Sequence, residues 1–403
     1  MPGKTPLSLY VHWPYCSFLC RFCAFSKSRI PSQGIDHARI TSALVRELQT
    51  TLSPYKKTSA LHSIYFGGGT PSLARPQDIH QIIDRANHLV PLIPGAEITL
   101  ESNPTLAEVE KMRGFRAAGI TRYSVGVQSL DDRTLSEMGR LHTGAEGLAA
   151  VDRAREVFPG NVTFDMIYGF PRQTPDQWQN ELETALTHAD QHISIYQLTV
   201  EPGTPLFRDQ RARRIALPVD DTQARMHEIA VEACKDRGFR HYEVSSYAKH
   251  PAAQSRHNMG YWSGQSYVGI GPSAHSRFVD PRDKQVRRSV RVPDTRRWIE
   301  LCESPAAHGT ATIADVTMAE AKAEMVVFGL RMIDGLEDSA FRRLSANDAN
   351  GQGLEDFLCM EKVHSYVEMR LLTWDPVVGV LKPTERGLQV IDSVLLDILP
   401  AME

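Results

Sequence analysis

Six short β-like runs alternate with helical patterns over roughly the first 240 residues, and this alternation limits the fold more than any other feature. Successive βα units place their strands side by side in a parallel sheet, so the fold class is α/β. Their regular length favours a partial (βα)6 TIM-like barrel, with a flat doubly wound sheet as the alternative, and in both the active site lies at the carboxyl ends of the strands. The predicted strands cover residues 8–13, 63–66, 97–101, 122–127, 163–167 and 194–200, and the predicted helices cover residues 36–52, 76–89, 106–118, 145–157, 175–187 and 220–237.

The rhythm changes near residue 239, which predicts three parts. Residues 1–238 form the barrel. Residues 239–292 are rich in aromatic residues, Gly and His, and they predict loops and short strands that cap one edge of the barrel. A basic, loop-like linker is expected at about 282–297. Residues 293–403 form a smaller, mainly helical module that ends in a helix, hairpin, helix pattern, as in a winged helix.

The charge balance and the hydropathy pattern exclude several classes of protein. The chain of 403 residues has 45 Lys and Arg against 48 Asp and Glu, a formal net charge of −3, so broad nucleic-acid binding is not expected. Apolar runs stay shorter than the roughly 20 residues that span a bilayer. The first residues do not resemble a signal or transit peptide. We therefore expect a cytoplasmic protein.

Three of the six cysteines lie within eight residues, in the spacing Cys16-x3-Cys20-x2-Cys23, directly after the first predicted strand. Three thiolates can hold three irons of a [4Fe–4S] cubane, and the fourth iron can then bind the amino and carboxylate groups of S-adenosylmethionine (SAM). Two alternatives stay open: thiols on one face of a helix, and a zinc site with His12 as fourth ligand. We interpret the other three cysteines, Cys234, Cys302 and Cys359, as small core residues.

Polar and glycine residues follow the ends of several predicted strands, where a ligand of the cluster would lie. The turn Gly67-Gly68-Gly69-Thr70-Pro71 follows the second strand, and glycines allow close backbone approach. Arg140 suits the SAM carboxylate because a guanidinium can bind a carboxylate through two hydrogen bonds. Three further candidates lie on strands three, four and five, namely Glu101, Gln128 and Asp165.

The stretches LYVHWPYCSFLCRFCAF, IYFGGGTPSL and HNMGYW resemble radical-SAM enzymes of the coproporphyrinogen III dehydrogenase (HemN) superfamily, and within it the HemW-like heme chaperones. The resemblance runs from about residue 7 to the carboxyl terminus, so the last module is expected to be of the HemN type. It implies a [4Fe–4S] cluster, SAM and heme as cofactors. It implies that SAM is surrounded by Tyr10, Phe22, Ala24, Gly68, Gly69, Thr70, Glu101, Gln128, Arg140, Asp165 and Thr199.

In the resemblance, HNMGYW contains the ligand of the heme iron, which is His257 here. The alternative is a histidine packed in an aromatic cluster, and His275 is a second candidate. The implied function is heme binding and transfer to apo-hemoproteins, with respiratory-chain proteins as candidate acceptors. It implies peripheral membrane contact through that acceptor and no specific nucleic acid. Whether SAM is turned over stays open.

Two departures separate the chain from the porphyrin-making branch. Phe25 stands where the dehydrogenase has a fourth cysteine, and few residues precede the first strand. Both favour the chaperone branch, so coproporphyrinogen III oxidase activity is not expected. Smaller departures are Ala24, where the chaperone branch often has an acid, and Ser273, where glycine is usual. The alternatives are a coproporphyrinogen III dehydrogenase, a HemN-like methyltransferase that uses two SAM molecules, and a DNA-binding role of the last module.

Overall fold

A computed structural model describes residues 3–345 and 352–400 of the chain. Its first part alternates strands and helices as the sequence predicts. The elements are β1 (Thr5–Trp13), β2 (Tyr15–Cys16), β3 (Ser28–Arg29), α1 (His37–Leu52), β4 (Ser59–Gly68), α2 (Pro76–Leu89), β5 (Leu92–Ser102), α3 (Leu106–Val109), α4 (Met112–Ala117), β6 (Arg122–Gln128), α5 (Asp132–Glu137), α6 (Gly144–Val157), β7 (Val162–Tyr168), α7 (Pro175–His188), β8 (His192–Gln197), α8 (Pro205–Arg211) and α9 (Asp220–Asp236).

Two further groups of elements follow. The next group is β9 (Arg240–Glu243), β10 (Ser246–Ala248), α10 (Arg256–Trp262), β11 (Ser266–Ile270), β12 (His275–Val279), β13 (Val286–Arg291), α11 (Thr295–Glu303) and β14 (Thr310–Asp315). The last group is α12 (Met318–Leu330), β15 (Leu336–Glu337), α13 (Asp338–Ser345), α14 (Leu354–Phe357), α15 (Met360–Glu368), β16 (Leu372–Asp375), β17 (Val380–Pro383), α16 (Glu385–Leu388) and α17 (Ile391–Ile398).

The six predicted strands are present as β1, β4, β5, β6, β7 and β8, and they pair in that order with every pair parallel. This order is the one that a partial (βα)6 barrel requires. Helices begin where the sequence signals them: the Thr174 side chain accepts a hydrogen bond from the backbone N–H of Gln177, ahead of Pro175 at the start of α7. The predicted helix at 106–118 is instead two short helices, α3 and α4.

The sheet continues beyond both edges of the six strands. On one side β10 and β9 pair antiparallel beside β8. On the other side β11 pairs parallel with β1, and β12, β13 and β14 follow antiparallel, so the sheet has twelve strands. The sequence from 239 onward therefore extends both edges, whereas the prediction had it cap only one.

The basic segment at 282–297 is not a linker, which corrects the expectation from the sequence. It contains β13 and the start of α11. Arg287 forms ion pairs with Asp280 (2.6 Å) and Asp283 (2.6 Å) and with Asp315 on β14 (2.8 Å). The positive charge that suggested a solvent-exposed loop is therefore neutralised by neighbouring carboxylates. Glu47 on α1 ties this extension to the barrel, because its carboxylate accepts from the indole of Trp298 at 3.0 Å.

The hydrophobic core divides at a later point than the predicted boundary at 293. Trp298 and Cys302 on α11 belong to the large core of the sheet, whereas a separate core begins with Val326 on α12 and ends with Ile398 on α17. We therefore propose two units among the described residues, 3–315 and 318–345 with 352–400. The second unit contains a three-stranded sheet, β15-β17-β16, and the predicted succession of helix, hairpin and helix.

Helix α10 lies across the amino-terminal halves of the barrel strands. Its contacts with β4 and β5 are distant from the carboxyl ends of those strands. Arg256 donates to the carbonyl of Gly95 (2.7 Å), and the backbone N–H of His257 donates to Glu97 Oε1 (3.1 Å). The side of α10 away from the strands meets the second unit, where the rings of Trp262 and Phe328 lie 6.1 Å apart. The barrel thus has an open mouth at the carboxyl ends and a floor formed by α10. Within the described residues, no helix has the length and apolarity that a membrane crossing requires.

Candidate functional site

The cysteine loop lies at the mouth of the barrel. Cys16 ends the short strand β2, and Cys20 and Cys23 follow in irregular backbone, so the alternative of a helical face is excluded. The loop is fastened to its surroundings through Arg21, whose N–H donates to the carbonyl of Met138 (3.0 Å) and whose carbonyl accepts from Leu206 (3.0 Å). All three cysteines line one cavity of about 150 Å³.

The glycine turn after β4 packs directly beneath this loop. Gly68 has a φ of +102°, in the left-handed region that favours glycine. A Cβ atom on Gly69 would lie 2.7 Å from the carbonyl oxygens of Trp13 and Tyr15, so only glycine allows this approach. The N–H groups of Gly69 and Thr70 donate to those same carbonyls, at 2.6 and 2.8 Å. The turn therefore builds the wall of the cavity, and a SAM ammonium there would need acceptors rather than these N–H groups.

Two carboxyl groups line the cavity from two strands, Glu101 on β5 and Asp165 on β7, with β6 between them. Burial raises the pKa of Glu101 to about 7, and burial together with repulsion from Glu101 raises the pKa of Asp165 to about 7. The hydroxyl of Tyr65 donates to Glu101 Oε1 at 2.7 Å. Two acids that are this costly to ionise together are suited to a ligand that brings positive charge.

A guanidinium group completes the charge pattern of the cavity. Arg140 is buried, one of its terminal nitrogens lies 3.5 Å from Cys20 Sγ, and another donates to the carbonyl of Gly126. Its Nε is buried without a hydrogen-bond partner among the described residues. The cavity therefore offers two acids and one incompletely paired cation beside three thiols. This donor set fits SAM, which carries an ammonium, a sulfonium and a carboxylate, next to a cluster held by three cysteines.

The structure brings most, but not all, of the predicted SAM residues together. The cavity is lined by Phe22, Gly68, Gly69, Thr70, Glu101, Gln128, Arg140 and Asp165, in addition to the cysteines. Gln128 has a φ of +75°, which is strained for a residue with a side chain and is typical of ligand sites. Tyr10 lies behind the lining, with its ring stacked on Tyr65.

Ala24 and Thr199 are exposed and do not line the cavity, which corrects their placement. Ala24 turns outward on the cysteine loop. Thr199 follows the end of β8 at Gln197, because the strand is shorter than predicted. These two residues stay predictions as SAM contacts.

Several lining residues were not predicted. Phe25, where the dehydrogenase branch has a fourth cysteine, is 68% exposed at the mouth. The guanidinium of Arg140 lies 5.1 Å from the ring centroid of Phe18, so that ring supports the arginine from below. The sequence signal for these unpredicted residues is proximity, since each stands within four residues of a predicted site residue. The unpredicted lining residues are Phe18, Phe25, Lys27, Ser102, Asn103, Ser124 and Gly126.

His257, the predicted heme ligand, lies in the floor of the barrel and not at its mouth. It is 1% exposed, and burial lowers its pKa to about 3, so the ring is neutral. Its Nδ1 lies 2.8 Å from Ser63 Oγ and its Nε2 lies 2.7 Å from the Tyr261 hydroxyl, so both ring nitrogens are engaged. The structure thus presents the packed histidine that was the alternative. His275, the second candidate, is exposed.

His12, the fourth ligand of the zinc alternative, is also engaged. It is buried, its Nε2 lies 2.8 Å from the carbonyl of Ser26, and its Nδ1 lies 3.4 Å from the hydroxyl of Tyr10. The ring packs against Gly68, where a Cβ atom would lie 2.5 Å from it. A zinc site would have to break these contacts, so the cluster remains the better interpretation of the three cysteines.

Comparison with known proteins identifies relatives of this chain. The Radical SAM superfamily model matches residues 10–185. The mitochondrial radical S-adenosyl methionine domain-containing protein 1 of Danio rerio is 38% identical over 402 residues, covering 98% of this chain and 87% of that protein. The heme chaperone HemW of Bacillus subtilis is 31% identical over 345 residues, covering 85% of this chain and 88% of that protein.

The coproporphyrinogen III oxidase HemN of Escherichia coli has a similar structure, with a TM-score of 0.79 at 20% identity over 98% of this chain and 90% of that one. This confirms the predicted α/β fold with its helical last module. The superfamily match confirms the [4Fe–4S] cluster and SAM as the cofactors of proteins with this motif set.

Proposed function

Because the chain belongs to the HemW-like family of radical-SAM proteins, we propose that it binds heme and delivers it to apo-hemoproteins. The observation that carries the proposal is the site at the mouth, with three thiols, two acids and Arg140, in a chain that aligns over most of its length with a protein named heme chaperone. A [4Fe–4S] cluster with SAM bound can supply one electron to a C–S bond of SAM.

Each residue at the mouth has a role in this proposal. Cys16, Cys20 and Cys23 hold the cluster. Glu101 and Asp165 would face the sulfonium and amino groups of SAM, and Arg140 would contact its carboxylate. Further residues shape the pocket: Phe22 and Phe18 provide apolar surface, and Gly68, Gly69 and Thr70 form the wall opposite the cysteine loop.

The heme ligand is the least constrained part of the proposal. The family resemblance assigns the iron to His257, but ligation through Nε2 requires the Tyr261 hydroxyl to leave that nitrogen and the floor to open. His275 is exposed at the start of β12 and needs no such change. Both histidines therefore enter the experiment.

Heme titration of the cluster-loaded protein tests the proposal. We expect saturable binding by the wild type, followed by its Soret absorbance, and loss of the axial-ligand spectrum in either His257→Ala or His275→Ala. His250→Ala, which removes an exposed loop histidine, is the matched control and should bind as the wild type does. Wild-type binding no stronger than that of a protein without a heme site would refute the proposal.

Delivery requires a second measurement. The heme-loaded protein is mixed with apo-myoglobin as a generic acceptor. It should transfer heme to apo-myoglobin faster than heme-loaded albumin does. A respiratory-chain acceptor, and with it peripheral membrane contact, is part of the same proposal. The cytoplasmic location stays a prediction, since the Danio rerio relative carries "mitochondrial" in its name whereas the Bacillus subtilis relative is bacterial.

A further inference from the structure

The ring of Tyr65 joins the mouth of the barrel to its floor. It is stacked between Tyr10, at a centroid distance of 6.2 Å and an interplanar angle of 21°, and His257, at 4.9 Å and 27°. Its hydroxyl donates to Glu101 Oε1 at 2.7 Å. A single side chain thus contacts both the carboxylate of the SAM pocket and the histidine of the HNMGYW motif.

The floor holds the His257 ring in one orientation. With the proton on Nδ1, each donor meets an acceptor: Tyr261 donates to Nε2 (2.7 Å), Nδ1 donates to Ser63 Oγ (2.8 Å), and Ser63 donates to Ser8 Oγ (2.9 Å). The rings of His257 and Tyr261 also meet edge to face at 4.7 Å. Because every polar atom of this chain of contacts is paired, rotation of the His257 ring would leave buried groups unsatisfied.

The space around Tyr65 is equally constrained. A Cβ atom on Gly67 would lie 3.0 Å from the Tyr65 ring, 3.1 Å from the Tyr10 ring and 3.2 Å from Glu101 Oε2. The backbone of β4 therefore passes close against all three groups, and the tyrosine cannot shift toward it. Together with His257 on its other face, this fixes where the hydroxyl of Tyr65 points.

Glu101 needs such a partner more than most carboxylates. It shares its surroundings with Asp165, and burial of both disfavours their ionised forms. The hydrogen bonds that it accepts from Tyr65 and from the N–H of Gly68 are the contacts that oppose this effect and set its orientation. Loss of the Tyr65 hydroxyl would leave the Gly68 N–H as the remaining one of these two contacts, so the Glu101 carboxylate would be less firmly oriented.

We propose that Tyr65, held in place by His257 of the HNMGYW motif, is a positioning residue for SAM that acts through Glu101. The motif then serves the SAM pocket from below, whichever residue ligates the heme iron. This inference rests on the proposed SAM pocket and not on heme binding. It predicts that changes in the floor of the barrel weaken binding of a ligand at its mouth.

The first test is SAM affinity of the cluster-reconstituted full-length protein, measured by titration calorimetry. Tyr65→Phe keeps the stacked ring and removes only the hydroxyl, and we expect an affinity loss of about tenfold, the size of one buried hydrogen bond to a carboxylate. His257→Ala should lose affinity by about three- to tenfold through the lost stacking. Tyr55→Phe removes a buried tyrosine hydroxyl outside the barrel and is the matched control, with no expected change.

A double-mutant cycle separates positioning from general damage to the fold. If Tyr65 acts through Glu101, Tyr65→Phe should have no further effect on SAM affinity in a Glu101→Ala background, whereas a loss of stability would weaken binding in both backgrounds. The electron paramagnetic resonance spectrum of the reduced cluster at saturating SAM gives a second readout. It should differ between wild type and Tyr65→Phe, while the spectra without SAM should coincide.

SAM affinity within twofold of wild type in Tyr65→Phe would overturn the inference, and so would equal losses in both arms of the cycle. Should His257→Ala not fold, Tyr65→Phe alone decides. Heme titration of the same samples keeps the two proposals apart. Loss of heme with unchanged SAM affinity in His257→Ala contradicts the positioning role, while a wild type that binds SAM but no heme refutes only the chaperone function.

Discussion

The two ends of the barrel use polar side chains in opposite ways. At the floor, His257, Ser63 and Tyr261 satisfy one another at 2.7 to 2.8 Å. At the mouth, Glu101 and Asp165 face the same cavity and Arg140 has a buried nitrogen without a partner among the described residues. Paired buried groups stabilise a fold, whereas unpaired ones cost free energy unless a ligand completes them. For these residues, the difference supports the proposal that the mouth is the ligand site and the floor its support.

The largest expected effect is loss of the iron–sulfur cluster at the mouth when one of the three cysteines is substituted. Cys16→Ala, Cys20→Ala or Cys23→Ala should each abolish assembly of the [4Fe–4S] cluster, because a cubane held by two protein thiolates has two open irons. Iron content and visible absorbance after anaerobic reconstitution measure this. Cys359→Ala is the control, because Cys359 is exposed in the second unit and is not the core residue that the sequence predicted. A cluster of normal content in any one of the three variants would contradict the ligand assignment.

A pair of isosteric changes contrasts the stability of the two ends. Tyr261→Phe leaves His257 Nε2 buried without a donor, so the floor should lose about 1–3 kcal/mol of unfolding free energy. Glu101→Gln at the mouth removes a carboxyl group whose pKa is raised by burial. The unfolding free energy of this variant should therefore equal that of the wild type or exceed it by about 1 kcal/mol. Thermal unfolding of both variants beside the wild type measures the difference. Equal losses would show that the mouth is as fully paired as the floor.

The smallest expected effect is the pH dependence of SAM affinity, which tests how the two carboxyl groups at the mouth ionise. The pKa of Glu101 and of Asp165 is raised to about 7, so both groups are protonated below that pH and ionised above it. A cationic ligand should therefore bind about tenfold more tightly at pH 8 than at pH 6. Glu101→Gln should flatten this profile, and a wild-type profile without slope would argue against ionisation of the pair in this range.

The same raised pKa values affect the stability of the SAM-free protein, which should fall as the pH rises, whereas SAM affinity should increase. Between about pH 4, where these acids ionise in the unfolded chain, and pH 7, the folded state binds more protons than the unfolded state. The contribution of Glu101 and Asp165 to stability is therefore present at low pH and lost as the pH rises through 7. SAM, by supplying positive charge, offsets that loss.

Much of the mouth could be predicted because the sequence patterns that indicate it extend over only a few neighbouring residues. The six strands follow from runs of buried apolar residues, and parallel strands necessarily bring their carboxyl ends to one edge, which places Glu101 and Asp165 near the cysteine loop. The strand predicted to contain Thr199 was drawn too long for an equally local reason. The apolar run that predicts its strand continues past Gln197, where pairing with β7 ends.

The floor and the extended sheet could not be predicted because they depend on distant pairings. The arginines of β13 form a strand only where Asp280, Asp315 and Glu324 come from other elements to neutralise them. Short motifs carry no such information.

By itself, the amino-acid sequence determined the α/β class, the cysteine triad and the candidates Glu101, Asp165 and Arg140, since spacing and alternation act over a few residues. Only the tertiary structure decided which end of the barrel receives the HNMGYW helix. Nothing in residues 256–262 distinguishes a histidine that points to an open cavity from one that stacks on Tyr65. That choice depends on Ser63 and Glu97, which are 194 and 160 residues away from His257 in the chain. Their contacts with His257 form only when the strands assemble.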